Sequence, residues 1–167
     1  MSVSANPVVK LAANGMSLLK PIFQLEAGLQ AGVLGAIGSV DKSSVSAEIE
    51  DNKKKNKVLI YTYGLSPFST GALSVLDDSG YEYSKIELGA EWFLLGGEAS
   101  ETRVALSKEV DSGATSLPKI FIGGTCIGGY AELANIVDSG DLDDIMKKAG
   151  AKKKGAKKTS PFGMFSK

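Results

Sequence analysis

Apolar and polar runs in the middle of the chain predict a strand that leads directly into a helix. Residues 58–61 are β-branched, aromatic or leucine, are too few for a helix and are soon followed by Gly64, which favours a buried strand. Ser66 then fits a helix N-cap, and Pro67 fits the first helical position, where a missing N–H costs nothing. The apolar residues that this helix carries into the core are Leu73, Val75 and Leu76.

The alternation of strands and helices continues toward the C-terminus. Gly123 and Gly124 form a tight turn between two of the predicted strands. The strands are expected at 82–88, 120–122 and 125–127, and the helices at 98–110, 130–137 and 142–146. This order predicts an α/β domain, which we place at residues 57–149, after an N-terminal extension (1–56) and before a C-terminal tail (150–167).

The N-terminal extension contains one amphipathic helix, predicted at about residues 21–37. Its apolar positions recur at steps of three and four and are widened by a neighbouring phenylalanine: Ile22, Phe23, Leu25, Leu29 and Val33. Several glycines weaken such a helix in isolation, so we expect it to be docked. Its own domain, another protein and a membrane surface remain alternative docking surfaces. Residues 41–57 are polar and predict a solvated linker with at most one helical turn.

Two further segments carry bulky apolar residues outside the predicted core. Trp92 and Phe93 lie in a loop of four consecutive large apolar residues, which either folds back on the domain or contacts a partner. The chain from Lys147 onward has eight lysines and ends with Phe162 and Phe165, a composition that cannot form a core by itself. It predicts a solvated basic tail or a short anchoring motif.

Composition excludes several classes of function. Lys and Arg together balance Asp and Glu at 19 each, so no overall field favours nucleic acid, and we expect no nucleic-acid partner. With one cysteine, Cys126, and no histidine, the chain cannot form an internal disulfide or a His/Cys zinc site, and we expect no metal. No run reaches the roughly 18 to 20 apolar residues of a spanning helix, which predicts a soluble or peripheral protein.

A strand that delivers a Ser66-Pro67-Phe68-Ser69 turn to a helix N-terminus has the layout of dithiol redox proteins, in which the helix end lowers a cysteine pKa. Two later segments strengthen the likeness: Thr115-Ser116-Leu117-Pro118, and Gly128-Gly129-Tyr130-Ala131-Glu132-Leu133. On these motifs the region from Lys57 to Ala149 resembles the glutaredoxin family, with SPFS in place of CPYC. The resemblance implies a thioredoxin-like mixed four-stranded sheet flanked by helices, and a cis-proline at Pro118.

The resemblance also implies where a glutathione-like ligand would lie. The corresponding positions are Tyr63, Ser66, Phe68, Leu117, Pro118, Gly129, Tyr130 and Ala131. Two of them depart from the family pattern: Tyr63 occupies the usual lysine position, and Ala131 stands where an aspartate is common. Glu132 follows directly, so an acidic contact with the ligand would be displaced by one residue. Glutathione binding is therefore expected to be weak, and no other cofactor is expected. An iron–sulfur cluster bound through the first cysteine of the motif loses its ligand at Ser66.

Serine cannot form a disulfide, so Ser66 and Ser69 exclude dithiol chemistry at this turn, and we expect no enzyme activity there. The sequence predicts a redox-inactive glutaredoxin-like scaffold that docks on a larger protein complex through its ends, in a plastid and peripheral to the thylakoid membrane. The docking residues would come from the N-terminal stripe, the Trp92 loop and the end of the tail. The alternatives are a glutathione-binding protein or glutathione-dependent enzyme, a monothiol sensor acting through Cys126, and a cytoplasmic location.

Overall fold

The computed structural model describes residues 42–89 and 97–155. These residues form, in order, α1 (Lys42–Lys55), β1 (Val58–Thr62), α2 (Pro67–Ser79), β2 (Ser84–Glu87), α3 (Gly97–Ser107), β3 (Lys119–Ile122), β4 (Thr125–Gly128), α4 (Tyr130–Ser139) and α5 (Leu142–Lys148). The predicted helix at 21–37, the Trp92 loop and the end of the tail lie outside the described residues. In the described part of the chain, no helix is long and apolar enough to cross a membrane.

The strands form one four-stranded sheet in the order β2-β1-β3-β4. β1 runs parallel to β2, with Tyr61 opposite Ile86, and antiparallel to β3, with Tyr61 opposite Lys119. β3 and β4 are antiparallel and joined by the Gly123-Gly124 turn, whose two glycines have φ angles of 62° and 83°. The predicted mixed four-stranded sheet of a thioredoxin-like fold is confirmed.

Alternation along β1 and β3 sends side chains to two separate cores. One face of the sheet packs against α2, α4 and α5, with Leu76, Leu133 and Met146 almost fully buried among residues such as Ile60 and Ile120. The other face carries Leu59, Tyr61 and Phe121. Because the strands are buried on both faces, they are continuous apolar runs rather than alternating ones.

The second core shows that the linker predicted at residues 41–57 is wrong. These residues form the helix α1, which packs on α3, and bury Val45 and Ile49 to 4% exposure each against Tyr61 and Leu106. The helix was missed because only these two positions, four residues apart, carry its apolar face. The folded unit therefore includes residues before 57.

Ion pairs also tie α1 to the domain. The Lys53 ammonium lies 2.8 Å from the Glu109 carboxylate, just after α3, and 2.7 Å from Glu50 within the helix. The lysines of the last turn complement the negative end of the helix dipole. Polar residues that suggested a solvated linker thus include specific contacts made by a docked helix.

The start of the basic tail is also part of the folded unit. Lys153 pairs with Tyr81 in an isolated antiparallel bridge, and Ala151 packs against the first core. This pairing explains why the predicted strand at 82–88 is shorter in the structure. Tyr81 is buried by the tail and the core, whereas the sheet proper begins at Ser84. Residues 150–154, predicted to belong to a tail outside the domain, are therefore part of the folded unit.

Candidate functional site

The turn between β1 and α2 is held by Ser66. Its backbone is extended (φ −87°, ψ 120°), its Oγ accepts a hydrogen bond from the Ser69 N–H at 3.3 Å, and Pro67 follows at the start of the helix. The Ser66 carbonyl accepts the Thr70 N–H at 3.1 Å, the first regular helical bond. Ser66 is therefore the N-cap that the sequence predicts.

Ser69 closes the same turn from inside the helix. Its side chain is 1% exposed, and its Oγ accepts the N–H of Tyr63 at 3.1 Å, across the end of β1. Both hydroxyl oxygens are thus acceptors for backbone N–H groups, one at the end of β1 and one at the start of α2. A hydroxyl in this role stabilises the turn and supplies no nucleophile comparable to a thiolate.

The surroundings of the turn are apolar with one nearby carboxylate. Leu65 is 77% exposed, whereas Phe68 and Tyr63 are partly buried. A β-carbon added to Gly64 would lie 2.6 Å from Oε1 of Glu87, so this carboxylate approaches the backbone just before Ser66. The same carboxylate lies 2.7 Å from the Lys85 ammonium, so its negative charge is partly offset.

The peptide bond between Leu117 and Pro118 is cis, as the resemblance implies. Two buried cations hold the carbonyls before it: Arg103 donates through Nε to the Thr115 oxygen at 3.3 Å, and Lys119 donates through Nζ to the Ser116 oxygen. No local sequence pattern marks these two cations. A buried Lys or Arg is recognisable only once the fold places it against backbone oxygens.

The start of α4 converges on the cis-proline. A β-carbon on Gly129 would lie 3.1 Å from the Pro118 carbonyl oxygen, so glycine permits this close approach. The Gly129 N–H donates to Oε2 of Glu132 at 2.8 Å. Glu132, predicted as a displaced acidic contact, is therefore a capping residue of its own helix.

Tyr130 does not present its side chain to a ligand. It is 2% exposed and packs in the first core, where a β-carbon on Gly71 would lie only 2.8 Å from its ring. Gly71 in the middle of α2 thus makes room for the large ring at the start of α4. A glycine inside a predicted helix was the sequence signal for such an approach.

The fold brings most predicted ligand positions to one end of the sheet. Because Tyr61 lies opposite Lys119, the end of β1 and the start of β3 meet at the same end of the sheet. Gly129 lies at this end too, close to the Pro118 carbonyl oxygen. A cavity of about 230 Å³ elsewhere, between α1 and β2, is lined by none of these positions. The predicted docking residues of the two ends and of the Trp92 loop lie outside the described residues.

Cys126 lies on the other face of the sheet from α2. It is opposite Phe121 in the β3–β4 pairing and packs against the second core, partly buried. Burial raises the pKa of its thiol above the usual range, and this outweighs the opposing effect of a hydrogen bond with the Gly128 backbone. A thiol with a raised pKa and partial cover fits a packing role.

The residues at the turn do not fit the use of glutathione as a redox partner. Ser66 offers no sulfur for a mixed disulfide, and Ala131 has no carboxylate. Within residues 42–89 and 97–155, no group of three or more His, Cys, Asp or Glu residues could hold a metal ion.

Similarity to known proteins agrees with this geometry. No protein-family model matches the chain. A glutaredoxin of Ricinus communis is 30% identical over 96 residues, which cover 58% of this chain and 87% of that protein. A chloroplastic monothiol glutaredoxin of Arabidopsis thaliana is 28% identical over 118 residues, covering 68% and 63% of the two chains.

Solved structures give the same result for the fold. Oxidized glutaredoxin 2 of Chlamydomonas reinhardtii superposes with a TM-score of 0.57 at 26% identity, covering 66% of this chain and 98% of that one. A buckwheat glutaredoxin in complex with glutathione gives a TM-score of 0.57 at 18% identity, covering 65% and 93%. Because the relative from Ricinus communis is 30% identical and is matched over 87% of its length, the chain belongs to the glutaredoxin family.

Proposed function

We propose that this glutaredoxin-family protein performs no thiol–disulfide exchange and acts as a scaffold that docks on a larger protein complex. The observation that carries the proposal is the use of both hydroxyls of the SPFS turn as backbone acceptors. Ser66 Oγ accepts the Ser69 N–H, and Ser69 Oγ accepts the Tyr63 N–H. The turn keeps its architecture while offering no sulfur, since Ser66 and Ser69 stand where the family resemblance implies cysteines.

The single cysteine does not replace the missing pair. Cys126 packs on the sheet face away from α2, and burial raises its pKa. A nucleophilic thiol needs a thiolate fraction and access to its target. We therefore assign Cys126 to packing rather than to sensing.

Docking is assigned to the ends of the chain because the described surface shows little exposed apolar area. Among the described residues, the large hydrophobic side chain classed as exposed is Leu65. The apolar stripe of residues 21–37 then lacks an assigned partner, and a protein complex would cover it. A plastid location is supported by the chloroplastic relative from Arabidopsis thaliana.

The docking part can be tested in the cells that produce the protein. We expect the full chain to sediment as part of a particle much larger than its 17.4 kDa. Leu29→Asp, on the apolar stripe, should release it to monomer size, whereas Gln30→Asp, off the stripe, should leave it in the particle. A wild-type chain that sediments as a monomer would contradict docking, as would equal behaviour of the two variants.

A glutathione-binding function is the second candidate, favoured by the retained cis-proline next to Gly129. Backbone groups at Leu117 could still receive a peptide ligand at this end of the sheet. Calorimetric titration of the full chain with glutathione separates the two functions. Absence of heat at millimolar glutathione supports the scaffold, and micromolar binding that Gly129→Val abolishes supports the second candidate.

A further inference from the structure

The first residues of the basic tail are fastened to the domain by backbone hydrogen bonds. Residues 151–154 run antiparallel to residues 80–83, an arrangement that we name the tail latch. The Glu82 N–H donates to the Lys152 oxygen at 2.7 Å, and the Lys154 N–H donates to the Gly80 oxygen at 2.7 Å. The pairing is a single bridge and not a full strand, so its side chains decide how firmly it holds.

Lys153 makes the first of two similar side-chain contacts. Its ammonium lies 4.8 Å from the centroid of the Tyr81 ring and 3.2 Å from Oδ1 of Asp143. The Tyr81 hydroxyl donates to that same oxygen at 2.6 Å. Lysine, tyrosine and aspartate therefore form a triad, and Lys147 of α5 binds the second carboxylate oxygen of Asp143 at 2.5 Å.

Lys154 repeats the arrangement with a different tyrosine and aspartate. Its ammonium lies 4.9 Å from the centroid of the Tyr83 ring and 2.7 Å from Oδ1 of Asp77, and the Tyr83 hydroxyl donates to Asp77 at 2.9 Å. Asp77 lies in the last turn of α2, where the helix dipole favours a positive charge. The C-terminal end of α2 disfavours the negative charge of Asp77, and the positive charge of Lys154 offsets it.

The lysines and aspartates of both triads are accessible to solvent, so the latch can open. The side chains of Lys153 and Lys154 are 56% and 46% exposed, and those of Asp143 and Asp77 are 47% and 57% exposed. Exposed ion pairs contribute little free energy each and are screened by salt. A competing anionic surface can therefore take over the lysines.

The sequence beyond the latch is suited to such a surface. Lys157 and Lys158 follow, and then Phe162, Met164 and Phe165. Clustered lysines attract anionic lipid headgroups, and neighbouring aromatic side chains enter the interface of a bilayer. A nucleic acid would bind the lysines alone and would leave Phe162, Met164 and Phe165 without a contact.

We propose that the latch lysines exchange between Asp77 and Asp143 of the domain and the anionic headgroups of a membrane surface. In the latched state the lysines are neutralised next to further carboxylates, including Asp78 and Asp144, which repel an anionic bilayer. Membrane binding and latching therefore exclude each other. The inference rests on the proposed function only in treating the tail as a docking segment, and it is independent of the chemistry at Ser66.

The test uses the full chain and lipid vesicles of phosphatidylcholine with or without phosphatidylglycerol. Sedimentation measures binding, and amide hydrogen exchange at Glu82, whose N–H is bonded to Lys152, reports the latch. We expect binding only to the anionic vesicles, weakening as salt rises, with loss of Glu82 protection in the bound state. Binding that leaves Glu82 protected, or equal binding to both vesicles, would overturn the exchange.

Charge-matched variants separate the latch from general electrostatics. Asp77→Asn should tighten vesicle binding several-fold, because a larger fraction of the chain is then unlatched. Asp78→Asn changes the net charge equally without touching either triad and should have a clearly smaller effect. Equal effects of the two variants would contradict a specific latch.

A second pair of variants checks the latch without vesicles and leaves the domain sequence intact. Lys153→Gln with Lys154→Gln should lose Glu82 protection, and Lys153→Arg with Lys154→Arg should keep it. Heparin, a polyanion without an apolar phase, tests the membrane assignment, as does the double variant Phe162→Ala with Phe165→Ala. The assignment is wrong if heparin binds the chain as tightly as anionic vesicles do and the double variant changes neither affinity. None of these outcomes alters the particle-size, glutathione or redox tests of the proposed function.

Discussion

At the scale of single residues, the turn before α2 depends on two oxygen atoms. Ser66 and Ser69 accept N–H groups at 3.3 Å and 3.1 Å, and the second of these side chains is almost fully buried. Burying a hydroxyl costs free energy unless it is hydrogen-bonded, and so does leaving a backbone N–H at a strand end unpaired. The two serines satisfy both conditions at once.

The contribution of the cap can be measured by alanine substitution. Ser66→Ala should lower the free energy of unfolding by about 1 kcal/mol, because the Ser69 N–H loses its acceptor. Ser69→Ala should cost at least as much, since the Tyr63 N–H is left without this partner. Urea denaturation measures both values. Ser74→Ala, at an exposed position of α2, is the control and should change stability little; equal losses at all three sites would contradict a capping role.

Cys126 should react slowly in the folded protein. Its thiol is partly buried against the second core, and its pKa is raised above the usual 9.0 mainly by burial. Iodoacetamide at neutral pH should therefore modify it more slowly than a free cysteine, and at the full rate after denaturation in urea. Rapid modification of the folded chain would restore a sensing role for this residue.

At the scale of elements, predictions from sequence succeeded where the signal is local. Ser66-Pro67 marks a helix start by its own chemistry, and the β-branched and aromatic run 58–61 marks a buried strand. The helix α1 has no such signal. Its apolar face consists of Val45 and Ile49, and its stability comes from docking on α3, which no local pattern shows.

The docking of α1 makes a specific prediction. Ile49→Ala should lower the free energy of unfolding by about 2 kcal/mol or more, because the side chain is 4% exposed and packs with Leu59 and Phe121. Lys54→Ala, on the exposed side of the same helix, is the matched control. Urea denaturation of both variants checks it; an Ile49→Ala chain as stable as the control would mean that α1 is not part of the cooperative unit.

Part of the candidate site was also beyond sequence reasoning. The cis-proline and the glycines near it were recognisable from their motifs, whereas the fit of Gly71 against the Tyr130 ring is a contact between α2 and α4. The same holds for Glu132, which looked like a ligand contact and caps its own helix. Residues far apart in sequence reveal such roles only after folding.

At the scale of the whole molecule, the charges balance overall and segregate locally. The chain has 19 basic and 19 acidic residues, yet the start of the tail gathers lysines against carboxylates of α2 and α5. The pKa of Asp143 is held below its usual 3.8, chiefly by Lys147 and then by Tyr81 and Lys153. The pKa of Asp77 is lowered chiefly by Lys154.

These shifts fix how the latch responds to acid. Since the folded-state pKa values of Asp77 and Asp143 lie below the unfolded value of 3.8, their stabilising contribution is present above pH 3.8 and is lost as the pH falls through the lowered values. The stability difference between the wild type and Asp77→Asn, whose carboxylate is shifted chiefly by the latch residue Lys154, should stay constant from about pH 7 to pH 5. It should shrink below pH 3.8, as followed by urea denaturation; a difference that grows on acidification would contradict the latch.

The central claim, that a glutaredoxin-family fold is used here without thiol–disulfide chemistry, is tested most directly by a turnover assay. Purified full-length protein is supplied with glutathione, glutathione reductase, NADPH and a small mixed disulfide, and NADPH oxidation is recorded. We expect the rate of the protein-free blank, unchanged by Cys126→Ser. Turnover above the blank that Ser66→Ala or Cys126→Ser abolishes would contradict the claim.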